Sequence, residues 1–112
     1  MKIIKNKVSL KELKQIAGQT FGNLVKAVVD IKKDLMVIDA ELHADEEALL
    51  LKQGSQQKDL WGINLYPELE KKDRIEFGSI INIRPNQDNF AREIEDKKIR
   101  EKIRRIVDQL IE

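Results

Sequence analysis

The stretch from Lys26 to His43, KAVVDIKKDLMVIDAELH, predicts a β-hairpin from which the rest of the fold can be worked out. Two β-rich segments, Lys26 to Ile31 and Leu35 to His43, are separated by three polar residues. The apolar side chains of both segments share one face only if the connection contains an even number of residues, two or four. In either register, Lys26 lies opposite an acid, Asp39 or Glu41.

The second segment of this hairpin carries polar side chains on one face. Successive side chains of a strand point to opposite faces of the sheet. The face that does not carry Met36 and Ile38 is therefore predicted to carry Asp39, Glu41 and His43. His43 is the only histidine in the chain. Two acids beside an imidazole suit acid–base chemistry, but they are also compatible with the solvated face of an ordinary antiparallel sheet.

Helical patterns lie on both sides of the hairpin. Ser9 to Glu12 matches a capping box, and the apolar residues that follow predict a first helix from about Leu10 to about Phe21. Asp96 is a suitable N-cap for a last helix. The apolar stripe of that helix consists of Ile99, Ile103, Ile106, Val107, Leu110 and Ile111.

A second pair of strands is predicted between the hairpin and the last helix. Apolar and polar residues alternate in two segments, Leu60 to Tyr66 and Arg74 to Arg84. This alternation indicates an antiparallel pair of strands. Before them, residues 45–53 favour a short helix with Asp45 as the N-cap and a glycine just beyond the end. A strand over residues 48–52 remains the alternative.

This order of elements defines a fold class. With 112 residues the chain is long enough for one domain, residues 1–112, and too short for two cores. The order αββαββα predicts an α+β domain of two layers, with an antiparallel sheet of about four strands and the helices on one face.

Composition and charge exclude several classes of function. The chain has no cysteine, which rules out disulfides and thiolate chemistry. The net charge of +1 argues against nucleic acid or an anionic membrane as a partner. The basic segment DKKIREKIRR, residues 96–105, contains acids and no aromatic residue, so it indicates a solvated helix face. Without an apolar run of about 18 residues or a leader sequence, we expect a cytoplasmic protein without a membrane segment.

The polar strand faces supply the candidate ligand-binding residues. Amide and guanidinium donors suit a carboxylate or a phosphate, and Pro85 holds the preceding residue extended. Gly62 and Gly78 would leave dents, as expected where a ligand or another segment of backbone approaches closely. The predicted ligand-binding residues are Asn64, Tyr66, Asn82 and Arg84.

The candidate catalytic residues are His43 and Glu41. His43 could act as a general base or as a metal ligand, with Glu41 supporting it. A metal site would combine His43 and Glu41 with Asp45, but one histidine among carboxylates is a poor zinc site. We therefore expect no metal and no cofactor.

Four segments resemble a family of small bacterial proteins described only as uncharacterised. They are VKAVVDI (25–31), ELHADEEALLL (41–51), GSQQKDLWGINLYPE (54–68) and INIRP (81–85), and the most specific motifs are HADEE, DLWGIN and INIRP. The resemblance covers nearly the whole chain. It implies a cytoplasmic, single-domain protein and carries no activity, cofactor or partner.

The sequence predicts a binding module for a small polar or anionic ligand or for a protein partner. The alternative is a small enzyme of hydrolase or lyase type, in which His43 is the general base or metal ligand and Arg84 with Asn82 holds an anion. Whether the chain forms a homo-oligomer is left open. Convergence of His43, Glu41, Asn64, Asn82 and Arg84 around one concavity would favour a site.

Overall fold

A five-stranded antiparallel sheet and three α-helices make up the fold in a computed structural model that describes residues 1–112. The strands lie in the order β1-β3-β2-β4-β5. Their bounds are Lys2–Ile4 (β1), Val25–Asp30 (β2), Leu35–Ile38 (β3), Leu60–Leu65 (β4) and Ile75–Glu76 (β5). The helices are Leu10–Gln19 (α1), His43–Lys52 (α2) and Lys97–Leu110 (α3). The predicted α+β class is confirmed, with a fifth strand that the sequence did not reveal.

The β2–β3 hairpin adopts one of the two predicted registers. Asp30 pairs with Leu35, so the connection contains four residues. The Asp30 carboxylate stabilises this turn, since Oδ1 accepts the Lys32 and Lys33 amides, each at 2.9 Å. The predicted strand from Leu35 to His43 is wrong beyond Ile38, because the chain turns at Asp39, which has a left-handed φ of +70°.

One face of the sheet forms the main hydrophobic core with α1 and α3. Ile103 of α3 is completely buried in this core, as the apolar stripe predicted. The strand residues of the core alternate along β2, β3 and β4, as expected for one buried face. They are Val25, Ala27, Val29, Met36, Ile38, Trp61, Ile63 and Leu65.

Helix α2 packs on the opposite face, so the helices do not all lie on one side of the sheet as predicted. Leu50 of α2 joins a small apolar cluster with Val28, Val37 and Leu60. The face that the sequence predicts to be polar is therefore apolar at its centre, and α2 covers this centre. The domain therefore has three layers rather than two.

The predicted strand from Arg74 to Arg84 is also wrong, because β5 ends at Glu76. Ser79 Oγ accepts the Ile81 amide at 3.3 Å and opens a 3₁₀ turn, Ile80–Asn82. The Asn82 side chain then bonds to Gly62 in β4, accepting its N–H at 2.8 Å and donating to its carbonyl at 2.9 Å. One side-chain amide thus takes the place of a neighbouring strand.

The helix starts match the sequence at α1 and α3 but not at α2, and α1 ends at Gln19, two residues before the predicted end at Phe21. Ser9 accepts the Glu12 amide at 3.0 Å, and Asp96 accepts the Lys98 amide at 2.8 Å. Residues 45–52 are helical, which excludes the alternative strand, but α2 begins at His43 with Leu42 as N-cap, so Asp45 lies in the first turn. None of the helices combines the length and apolar character needed to cross a membrane.

Candidate functional site

A cleft of about 460 Å³ lies between the start of α2 and the Ile80–Asn82 turn. Its floor is a row of polar side chains on three neighbouring strands, because Lys26 pairs with Asn64 and Asn64 pairs with Glu76. The remaining lining residues form its walls: Leu42, His43, Ala44, Gly78, Ser79, Ile80, Ile81 and Arg92.

His43 is the first residue of α2 and presents a neutral imidazole to the cleft. Its side chain is nearly buried, and Nε2 lies 2.7 Å from the Ile63 carbonyl oxygen. Since a carbonyl can only accept, Nε2 carries the proton and Nδ1 carries a lone pair, for which the chain provides no partner. Burial lowers the pKa of His43, so the ring is uncharged at neutral pH.

Asn64 also has an acceptor without a partner, but this oxygen is buried below the cleft surface. Its Nδ2 donates to Glu76 Oε1 at 2.7 Å and to the Gly78 carbonyl at 3.3 Å. These bonds fix the orientation of the amide, and Oδ1 is left buried without a hydrogen bond. A buried acceptor of this kind costs stability, and because no solvent reaches Oδ1, a ligand in the cleft cannot donate to it.

Two positively charged side chains and two free backbone amides line the cleft. Lys26 and Arg92 both line the cleft, and the backbone amides of His43 and Ala44 make no hydrogen bond within the chain. Leu42, the N-cap, supplies no side-chain acceptor for them. Free amides at a helix start together with two cations favour an anion in the cleft.

The predicted site residues divide into three groups. His43 and Asn64 line the cleft, and Tyr66 lies beside it, with its hydroxyl 3.4 Å from Glu76 Oε1. Glu41 and Asp45 lie in a separate shallow depression beside the first residue of the chain. The metal candidates His43, Glu41 and Asp45 are therefore not brought together, and no other three acids or histidines form such a group.

Asn82 and Arg84 form the third group, and both are buried behind the cleft. The Arg84 side chain is 6% exposed and lies 4.5 Å from the centre of the Trp61 ring. All three guanidinium nitrogens have partners within the chain. Nε donates to the Ile81 carbonyl, Nη1 to the Gln57 carbonyl and Gln87 Oε1, and Nη2 to the Leu60 carbonyl, with the Glu47 carboxylate 4.0 Å from Nη2.

Sequence reasoning missed the inner face of α2. Read as a helix from residue 43, the sequence places His43, Glu46, Glu47 and Leu50 at positions i, i+3, i+4 and i+7 of one face. The structure buries three of these four side chains and pairs the other, Glu47, with Arg84. The helical spacing of these residues is visible in the sequence from HADEE onward, but it is hidden when His43 is assigned to a strand.

Glu46 is the most unusual member of this face. Its side chain is 0% exposed, and neither carboxyl oxygen makes a hydrogen bond of ordinary geometry. Burial raises the pKa of Glu46 to about 9, and the opposing effects of the Ala40 amide and the Lys26 ammonium are smaller. The carboxyl group is therefore protonated at neutral pH.

The two strand glycines predicted to leave dents should respond differently to substitution. A Cβ on Gly62 would lie 2.6 Å from the Ser79 Cβ, whereas a Cβ on Gly78 would meet no atom within 4 Å. We expect Gly62→Ala to lower the free energy of unfolding by about 1 to 3 kcal/mol, the usual effect of overpacking. Gly78→Ala is the matched control and should change it by less than about 0.5 kcal/mol. Equal urea denaturation curves for the two variants would contradict the close packing at Gly62.

Comparison with known proteins gives a family for the chain. Residues 2–110 match the family described as "Protein of unknown function (DUF5674)". The chain belongs to this family. Membership in DUF5674 over nearly the whole chain confirms the expected resemblance to an uncharacterised family. No curated protein and no solved structure matches the chain.

Proposed function

We propose that this member of DUF5674 is a binding module and that its cleft takes a small polar ligand carrying an anionic group. The observation that carries the proposal is the arrangement of unpaired groups in the cleft. The free amides at the α2 start, two cations and His43, whose Nδ1 has no partner within the chain, all line the same cleft. A ligand with a carboxylate and an adjacent N–H group would satisfy both kinds of group.

The cleft also has the size and lining of a small-molecule site. Its volume of about 460 Å³ lies within the usual range for ligand pockets, roughly 300 to 1,000 Å³. Leu42, Ile80 and Ile81 give it apolar walls, and polar side chains form its floor. This combination of apolar walls and a few placed polar groups is typical of binding sites.

N-acetylglycine is a suitable probe, since it joins a carboxylate to one amide N–H. We expect its titration to shift the backbone NMR signals of His43, Ala44 and Asn64. Arg92→Gln should weaken binding by about tenfold, the effect of losing a charged hydrogen bond of about 1.4 kcal/mol. Arg105→Gln, on the exposed face of α3, is the control and should bind as the wild type does. Signals that do not move, or equal weakening by both variants, would contradict the proposal.

Enzymatic activity is the second candidate, favoured by the free Nδ1 of a neutral imidazole in the cleft. Such a nitrogen can accept a proton from a bound substrate, as a hydrolase or lyase requires. Glu41, the predicted helper of His43, lies in the separate depression, so any activity would depend on His43 without it. Release of acetate from N-acetylglycine separates the candidates: release by the wild type that is lost in His43→Gln would support the enzyme, and a wild type that binds N-acetylglycine without releasing acetate would support the binding module.

A further inference from the structure

An exposed apolar patch extends from the mouth of the cleft. Ile80 is 65% exposed and Phe90 is 64% exposed, and Ile83 is also exposed. Ile80 and Ile83 are three residues apart across a 3₁₀ turn, so their side chains align. These three residues are called the apolar patch below.

Backbone pairing brings Phe90 to the same side as Ile83. Arg84 and Asn89 are antiparallel partners that exchange both backbone hydrogen bonds, at 2.7 and 3.1 Å, and both side chains are buried. Because side chains alternate along an extended chain, Ile83 and Phe90 both point away from the protein. The patch is therefore continuous from Ile80 to Phe90.

The apolar patch and the cations of the cleft belong to one surface. Ile80 lines the cleft as well as the patch, and Arg92 follows two residues after Phe90. The Arg92 carbonyl accepts the Ser79 amide at 3.1 Å, which holds the segment around Arg92 against the cleft wall. A ligand that fills the cleft and continues outward would pass from cations to apolar side chains.

We propose that the occupant of this surface is the C-terminal end of a polypeptide with apolar side chains, an inference that rests on the proposed binding function. Its carboxylate would lie in the cleft, between the free amides at the α2 start and the cations Lys26 and Arg92. Its last backbone amide would donate to His43 Nδ1. The preceding apolar side chains would cover the apolar patch, as in the known mode of recognition by capture of a terminal carboxylate.

Two features favour a peptide over a fatty acid, the other anion with an apolar chain. A fatty acid has no donor for the acceptor His43 Nδ1, which has no partner within the chain. The apolar patch is also open rather than enclosed, as its exposure shows. Open apolar patches with a polar rim are typical of protein contacts.

The decisive experiment compares N-acetyl-trileucine with its C-terminal amide. We expect the free acid to bind at least about tenfold more tightly than both the amide and N-acetylglycine, since a terminal charge and the patch contacts each contribute at this scale. Phe90→Ser should weaken binding of the tripeptide by about tenfold and leave N-acetylglycine binding unchanged. Leu69→Ser, an exposed leucine outside the patch, is the control and should change neither.

Each contrary result identifies what is wrong. Equal affinity of the acid and the amide would overturn carboxylate capture, and tighter binding of decanoate than of the tripeptide would overturn the peptide as occupant. If N-acetylglycine binds and the tripeptide binds no better, the patch has no role while the proposed function stands. If neither binds, the proposed function itself fails, and this inference with it.

Discussion

Arg84→Met should lower the free energy of unfolding by about 3 to 5 kcal/mol, the usual effect of removing one partner of a buried ion pair. The substitution would leave the Glu47 carboxylate without its cation and the carbonyls of Gln57, Leu60 and Ile81 without their donor. Urea denaturation followed by circular dichroism measures the change. Arg105→Met, at an exposed position, is the control and should change stability by less than about 0.5 kcal/mol.

Arg84→Lys provides the sharper version of this experiment. If Arg84 were a solvated ligand-binding residue, as the sequence suggests, lysine would leave the melting temperature unchanged. The structure leads to the opposite expectation, because a lysine ammonium cannot reproduce the planar set of donors that reaches four acceptors within the chain. A loss of less than about 1 kcal/mol in Arg84→Lys would mean that these hydrogen bonds contribute little.

The free energy of unfolding of the wild type should fall as the pH rises, and Glu46→Gln should remove most of this fall. The pKa of Glu46 is near 4.5 in an unfolded chain and about 9 in the fold, so between these values the folded state binds the extra proton. Stability from this group is complete below about pH 4.5 and falls by about 1.4 kcal/mol per pH unit until the pH passes the folded pKa. From pH 7 to pH 9, the wild type should lose about 2 to 3 kcal/mol more than Glu46→Gln.

Chemical denaturation at pH 7, 8 and 9 tests this difference. Glu41→Gln is the matched control, because Glu41 is exposed and should show the wild-type dependence on pH. His43 does not contribute in this range. Its pKa in the fold is lowered from 6.5, so the pH dependence of stability that it causes lies at lower pH. Parallel pH profiles for the wild type and Glu46→Gln would show that the Glu46 carboxyl group is not desolvated.

The fold class could be predicted because local patterns determine most of the elements. The register of the first hairpin, the Ser9 and Asp96 caps and the burial of Ile103 all follow from periodicity and capping chemistry. The side of the sheet that α2 covers could not be predicted from its own sequence. It depends on Val28, Val37 and Leu60 meeting across three strands, a contact between distant parts of the chain.

The candidate site was predicted only in part, for a related reason. His43 and Asn64 were identified by their chemistry, and both line the cleft. The strand predicted from Arg74 to Arg84 fails because the Asn82 amide bonds to Gly62, 20 residues away, and no local pattern indicates that. The same tertiary contacts turn Arg84 inward, so a residue with the donors of a ligand-binding arginine is used within the fold.

The two faces of the sheet are covered to different extents, so the helices on them should differ in local stability. Helices α1 and α3 are held by a large apolar core, whereas α2 rests on a small apolar cluster and a polar row with His43, Glu46 and Glu47. Elements with few buried apolar contacts open at lower free energy than the whole domain. Helix α2, which forms one wall of the cleft, buries only one apolar side chain, Leu50, so we expect its amides to exchange hydrogen faster than those of α1 and α3.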